Sequence, residues 1–177
     1  MHLAGTPLLP NQCCSPDFHR MQRWIDLYSL GWPRYYRQVV ACPFFFPTER
    51  ISLGWAFPAR LPLGAGFTGT CRAGATEVIP SEDELRSFCN LGYATGCCRM
   101  PAQRGADGVR FTVARDEESR IVLHYVSERH HEPVEYGRLE YDCAQQSWAV
   151  PLRDACLRRQ AECYVAVYLE RRPRKPV

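Results

Sequence analysis

The chain has 177 residues, 46% hydrophobic and 23% charged, a balance that excludes a disordered or fibrous protein and allows one domain with its own core. Its formal net charge of +3 is too small for the footprint of a nucleic-acid-binding protein, and no apolar run approaches the ~20 residues needed to cross a bilayer. The charge is uneven: residues 1–80 hold 7 basic and 4 acidic side chains, while residues 81–177 hold 15 of each.

Of the 22 basic residues 21 are Arg, with Lys175 the single lysine, which reads as the coding bias of a GC-rich bacterial genome. The first ten residues lack the basic and apolar regions of a signal peptide. The expected compartment is therefore the cytoplasm, where thiols stay reduced. Ten cysteines in such a compartment favour metal ligation; the competing case is export by another route with up to five disulfides.

Residues 1–20 contain Pro7, Pro10 and Pro16 without an apolar period and read as a loose arm. Met21 is an alternative start, which would make Cys13 and Cys14 incidental. Residues 21–172 read as one compact domain, with a cysteine-bearing half at 21–101 and a second half at 107–172. Trp24, Ile25, Leu27, Tyr28 and Leu30 predict a helix of two to three turns, interrupted by Gly31-Trp32-Pro33. Tyr35, Tyr36, Val39 and Val40 carry the chain on towards Cys42 as a second helix or an extended segment.

Residues 42–80 show little regular pattern. They hold Pro43, Pro47, Pro58, Pro62 and Pro80 and five glycines, yet also Phe44, Phe45, Phe46, Trp55, Phe57 and Phe67. Ordering such a backbone is entropically costly, and metal ligation offsets that cost. Ser81-Glu82-Asp83-Glu84 is a capping box that opens a short helix. Leu85, Phe88 and Cys89 share one face of it, and Asn90 or Gly92 ends it in a left-handed conformation.

The second half alternates. Residues 109–113, 121–126 and 134–141 predict three strands, the first two joined by the polar turn Asp116-Glu117-Glu118-Ser119, and residues 148–150 a short fourth. Residues 152–172 predict a helix with Leu152, Cys156, Cys163, Val167 and either Tyr164 or Tyr168 inward, stopped by Pro173. A basic tail, 173–177, follows. The expected fold is α+β: an irregular Cys/Gly/Pro/aromatic-rich half with short helices, then a three- to four-stranded antiparallel meander packed by a C-terminal helix.

Cys42, Cys71, Cys89 and the Cys97-Cys98 pair stand singly in glycine-, proline- or aromatic-rich settings. Structural zinc sites are usually built from paired ligands two to four residues apart, and no such pair joins Cys42, Cys71 and Cys89. A [4Fe–4S] cube is larger and takes thiolates from separate loops. Gly69, Gly92 and Gly96 leave room for amides near the sulfurs, and Arg60, Arg72 or Arg99 supplies compensating charge. The candidate ligand set is Cys42, Cys71, Cys89 and Cys97, with Cys98 the alternative fourth; zinc is the alternative metal. The plainer reading makes them buried thiols acting as small apolar side chains, the reading also given to Cys143, Cys156 and Cys163.

Other constellations read as structure. His130-His131, beside Glu128 and Glu132, is a polar hairpin loop before it is a metal site. His124 is a base candidate for a cysteine only if the fold brings the two together. Residues 63–69 are glycine-rich but lack the Lys and Ser/Thr of a phosphate loop.

The expected function is a small iron–sulfur protein, an electron relay or structurally clamped subunit of a larger redox assembly. Surplus aromatics in residues 24–67 would partly form its protein-partner surface. The alternatives are a zinc-binding or metal-free interaction module, and a cysteine-dependent enzyme using Cys89 or Cys97 with His124.

Overall fold

Alternating apolar side chains build the larger sheet of the computed structural model, which describes residues 40–51, 54–92 and 96–172. Strands β3 (Gly108–Glu117), β4 (Arg120–Arg129), β5 (Glu132–Asp142) and the two-residue β6 (Ser147–Trp148) pair in the antiparallel order β3-β4-β5-β6. Phe111 faces Tyr125, and Leu123 lies between Val113 and Leu139, so one face is apolar across three strands. Ile121 and Leu123 are fully buried. The β4–β5 hairpin turns on His130 and His131, with φ of 52° and 66°, the mirror-image turn that matches strand twist.

A second, two-stranded sheet precedes it. Strands β1 (Phe45–Ile51) and β2 (Gly66–Cys71) pair antiparallel, with Phe45 opposite Cys71 and Pro47 opposite Gly69. The pattern of residues 42–80 does not announce this hairpin, because Pro47 cannot donate to a ladder and the register slips between Pro47 and Arg50. Gly69 is required by contact: a Cβ there would lie 2.2 Å from the Phe46 carbonyl oxygen.

In the chain between the two sheets comes α1 (Glu82–Glu84), continued by a π-helical turn, Leu85–Cys89. Its capping box is complete. Ser81 Oγ accepts from the Glu84 amide at 3.3 Å, and Glu84 Oε2 accepts from the Ser81 amide at 2.8 Å. Asn90 keeps a right-handed φ of −91°; the left-handed turn falls on Gly92, at +66°.

Helix α2 (Ala155–Arg171) starts at Asp154, whose carboxylate accepts from the Leu157 amide at 2.8 Å. It buries Cys156, Gln160, Ala161, Cys163, Val165 and Val167. One core joins this face to Phe45, Leu63, Phe67, Phe111 and Leu123, so the helix packs on both sheets. The described residues belong to one compact unit, Val39–Val177. Among them no helix is long and apolar enough to cross a membrane. The expected arm at 1–20, the helical pattern with Trp24 and Leu30, and the tail at 173–177 lie outside the described residues.

Candidate metal centre

Cys42 enters the core on a short bridge to the larger sheet: Ala41 and Val109 exchange hydrogen bonds of 2.6 and 2.9 Å. A turn follows, closed by the Phe45 amide donating to the Cys42 carbonyl at 3.1 Å. Within it the amides of Phe44 and Phe45 donate to the Cys42 sulfur. Gln160 of α2 fastens the turn from behind, its Nε2 donating to the carbonyls of Cys42 at 2.8 Å and Phe45 at 2.7 Å.

Cys71 ends β2 directly opposite Phe45, and its sulfur accepts from the Ala73 amide. The Arg72 amide donates to the Phe44 carbonyl at 2.8 Å, which sets the two cysteine turns side by side. In both, the sulfur is met by an amide two residues on, the donor pattern that suits a buried thiolate.

Cys89 is the last residue of the π-helical turn. Its neighbour Asn90 is buried and bonds Phe67 of β2, so the helix end is locked to the strand that carries Cys71. Cys97 follows Gly96 in the next loop, where the Met100 amide donates to its carbonyl at 3.1 Å. Cys97 is half-buried and Cys98 exposed.

These four sequence-predicted residues are close in space. All six pairs among Cys42, Cys71, Cys89 and Cys97 lie within direct electrostatic range of one another. Burial first, and then this mutual repulsion, push the Cys42 thiol up to about 12 and the Cys89 thiol further above the ordinary thiol range. Burial also raises Cys71, against the Ala73 amide and the Arg99 charge. Among the described residues, no three His, Cys, Asp or Glu side chains stand close enough to grip a single metal ion.

The surroundings are charged on one side and apolar on the other. Glu84, buried, ion-pairs with Arg99, and both charges reach Cys71. Of the three arginines the sequence offers as compensating charge, Arg99 acts on Cys71. Arg72 turns its guanidinium over the Phe46 ring at 3.5 Å, pairs with Glu77 at 2.7 Å and reaches Cys156; Arg60 stacks on the exposed ring of Phe57. Phe45 and Phe67 are spent on the core and Phe44 packs against it.

Among the described residues no disulfide joins any of the eight cysteines. Cys156 and Cys163 sit on the buried face of α2, and burial lifts both to about 11. Cys143 is half-buried beyond β5. Cys13 and Cys14 lie outside the described residues. His124 points to the exposed face of the larger sheet, whereas Cys89 belongs to the core. The His130-His131 turn is tied down by Asp107, which accepts from the His130 amide at 2.8 Å, while Glu128 ion-pairs with Arg110.

Sequence reasoning missed Gln160 and the second role of Asn90. A polar residue on an apolar helix face was the available signal for Gln160. No protein-family model, curated protein or solved structure matches this chain, so the functional reading rests on the site itself.

Proposed function

We propose that Cys42, Cys71, Cys89 and Cys97 ligate one [4Fe–4S] cluster, and that the protein is a cytoplasmic electron relay or a cluster-clamped subunit of a larger protein assembly. The observation that carries this reading is that all four thiols, drawn from four separate segments, lie within electrostatic range of one another. Zinc sites gather their sulfurs tightly around a small ion, usually on paired ligands two to four residues apart, and no such spacing joins Cys42, Cys71 and Cys89. A cube accepts thiolates spaced more widely. Bound here, it would supply one-electron transfer or cross-link four loops.

The residues present suit that group. Amides of Phe44, Phe45 and Ala73 already donate to two of the sulfurs, which lowers the cost of burying thiolate charge. Arg99 adds a positive charge beside Cys71. Phe44 and Phe45 exclude water from the Cys42 side. Metal-free, the buried thiols hold their protons, so loading releases protons and is favoured by higher pH.

Anaerobically purified protein is expected to be brown, with broad charge-transfer absorption. Cys42→Ser abolishes the colour and loosens residues 42–101, while Cys156→Ser keeps the colour. Two brown variants would refute the ligand set. Colourless protein holding one zinc supports the interaction module, and one rapidly alkylated thiol without metal supports the cysteine-dependent enzyme.

A further inference from the structure

Gln160 is 0% exposed, on a helix face otherwise made of Cys156, Ala161, Cys163, Val165 and Val167. Both of its amide hydrogens go to one place. Nε2 donates to the carbonyls of Cys42 at 2.8 Å and Phe45 at 2.7 Å, the two residues that open and close the Cys42 turn. Its own Oε1 has no protein partner among the described residues. A buried acceptor left unpaired is destabilising, so an apolar side chain would serve the helix better if packing were its whole task.

We infer that Gln160 is a positioning residue for the metal centre: by gripping the Cys42 and Phe45 carbonyls it holds the turn that aims the Phe44 and Phe45 amides at the Cys42 sulfur. This rests on the cluster reading above and names a residue that supports the site from outside the ligand set. Those amides stabilise the thiolate and help to set the potential of an iron–sulfur group. Without the grip, the turn keeps the Phe45 amide bond to the Cys42 carbonyl and the Arg72 amide bond to the Phe44 carbonyl, but loses both bonds that tie it to α2, so its sulfur-facing amides are held less firmly. Gln160 itself stays clear of the reacting atoms; it acts through the backbone.

The test uses the full chain, loaded anaerobically, with two readouts: the rate of iron loss to a chelator and the midpoint potential. Gln160→Met keeps length and apolar bulk but cannot donate. It is expected to lose iron about 10- to 100-fold faster than wild type, the usual effect of removing a supporting hydrogen bond, with a shifted potential. Gln160→Glu, whose buried carboxyl when protonated still donates once, should fall between them. Val165→Ala weakens packing on the same helix without touching the turn, and should match wild type in both readouts.

A Gln160→Met protein with the wild-type rate and potential overturns the inference, as does a Val165→Ala protein that changes as much. Should Gln160→Met fail to fold, wild-type behaviour of Gln160→Glu overturns it. A wild-type chain that takes up no iron and sulfide defeats the cluster reading itself and this inference with it. A loaded wild type beside an unchanged Gln160→Met defeats the inference alone.

Discussion

Asn90 and Phe67 hold each other through a reciprocal pair of hydrogen bonds. The Phe67 amide donates to Asn90 Oδ1, and Asn90 Nδ2 donates to the Phe67 carbonyl, both at 2.9 Å. A third bond, Nδ2 to the Leu85 carbonyl at 3.1 Å, anchors the same side chain to its own helix turn. One buried amide therefore extends β2 sideways, as a further strand would, and fixes Cys89 against Cys71. Asn90→Leu removes all three bonds and strands two backbone groups of Phe67 in the core. The expected loss is on the order of 3 kcal/mol in chemical denaturation, with earlier proteolysis in residues 81–100. A loss under about 0.5 kcal/mol would show that the pair does not hold the helix end.

Gly92 and Gly105 should answer the same substitution in opposite ways. At Gly92, φ is +66° and a Cβ would fall 1.5 Å from the Val40 carbonyl oxygen, so the backbone of residues 40–42 must move to admit alanine. At Gly105 nothing lies within 4 Å. Gly92→Ala is expected to cost at least about 2 kcal/mol, through strain and displacement of the segment leading into Cys42. Gly105→Ala should stay within about 0.5 kcal/mol of wild type. Thermal unfolding of the two variants side by side checks both.

How far the sequence reveals this fold follows from the range of each interaction. Strands β3, β4 and β5 were legible because alternation is a local pattern with a period of two, and α1 because its capping box spans four residues. The β1–β2 hairpin was not. Phe44, Phe45 and Phe46 do not alternate, Pro47 argues against a strand, and the pairing depends on Gly69 letting the Phe46 carbonyl approach. Asn90 was legible as a helix terminator, but its side-chain partner lies 23 residues away. The grip of Gln160 on Cys42 spans 118 residues and leaves no local trace. The choice of Cys97 over Cys98 rests on a preceding glycine, a local signal that does not say which of two neighbouring side chains turns inward; Cys97 is half-buried and Cys98 exposed.

Asp107 makes the stability of the larger sheet sensitive to acid. Its buried carboxylate accepts from the His130 amide at 2.8 Å and ion-pairs with Arg104. Burial alone would raise its pKa, but the His130 amide and Arg104 outweigh burial and hold it below the usual carboxylate value. A depressed folded pKa gives stability that is complete above the unfolded value, about 3.9, and fades as pH falls through the lower folded value. Asp107→Asn should therefore cost about 1–3 kcal/mol near pH 7. The gap between variant and wild type should narrow below about pH 4. Urea titrations at several pH values check this; a gap that widens on acidification reverses the sign.

Thiol reactivity should sort by burial. In metal-free protein at mildly alkaline pH, iodoacetamide is expected to reach exposed Cys98 well before Cys42 and Cys89, whose buried thiols resist ionisation. Peptide mapping by mass spectrometry over a time course gives the order. Early labelling of Cys42 or Cys89 in folded protein would mean that the enclosure around them opens.

Whether four thiols gather around one inorganic centre is decided by chemical analysis of the anaerobically isolated or reconstituted chain for iron and acid-labile sulfide. The account predicts about four of each per chain, falling to near zero when Cys42, Cys71, Cys89 and Cys97 are together replaced by serine. Sulfide-free protein after reconstitution, or full loading of the four-serine variant, would contradict it.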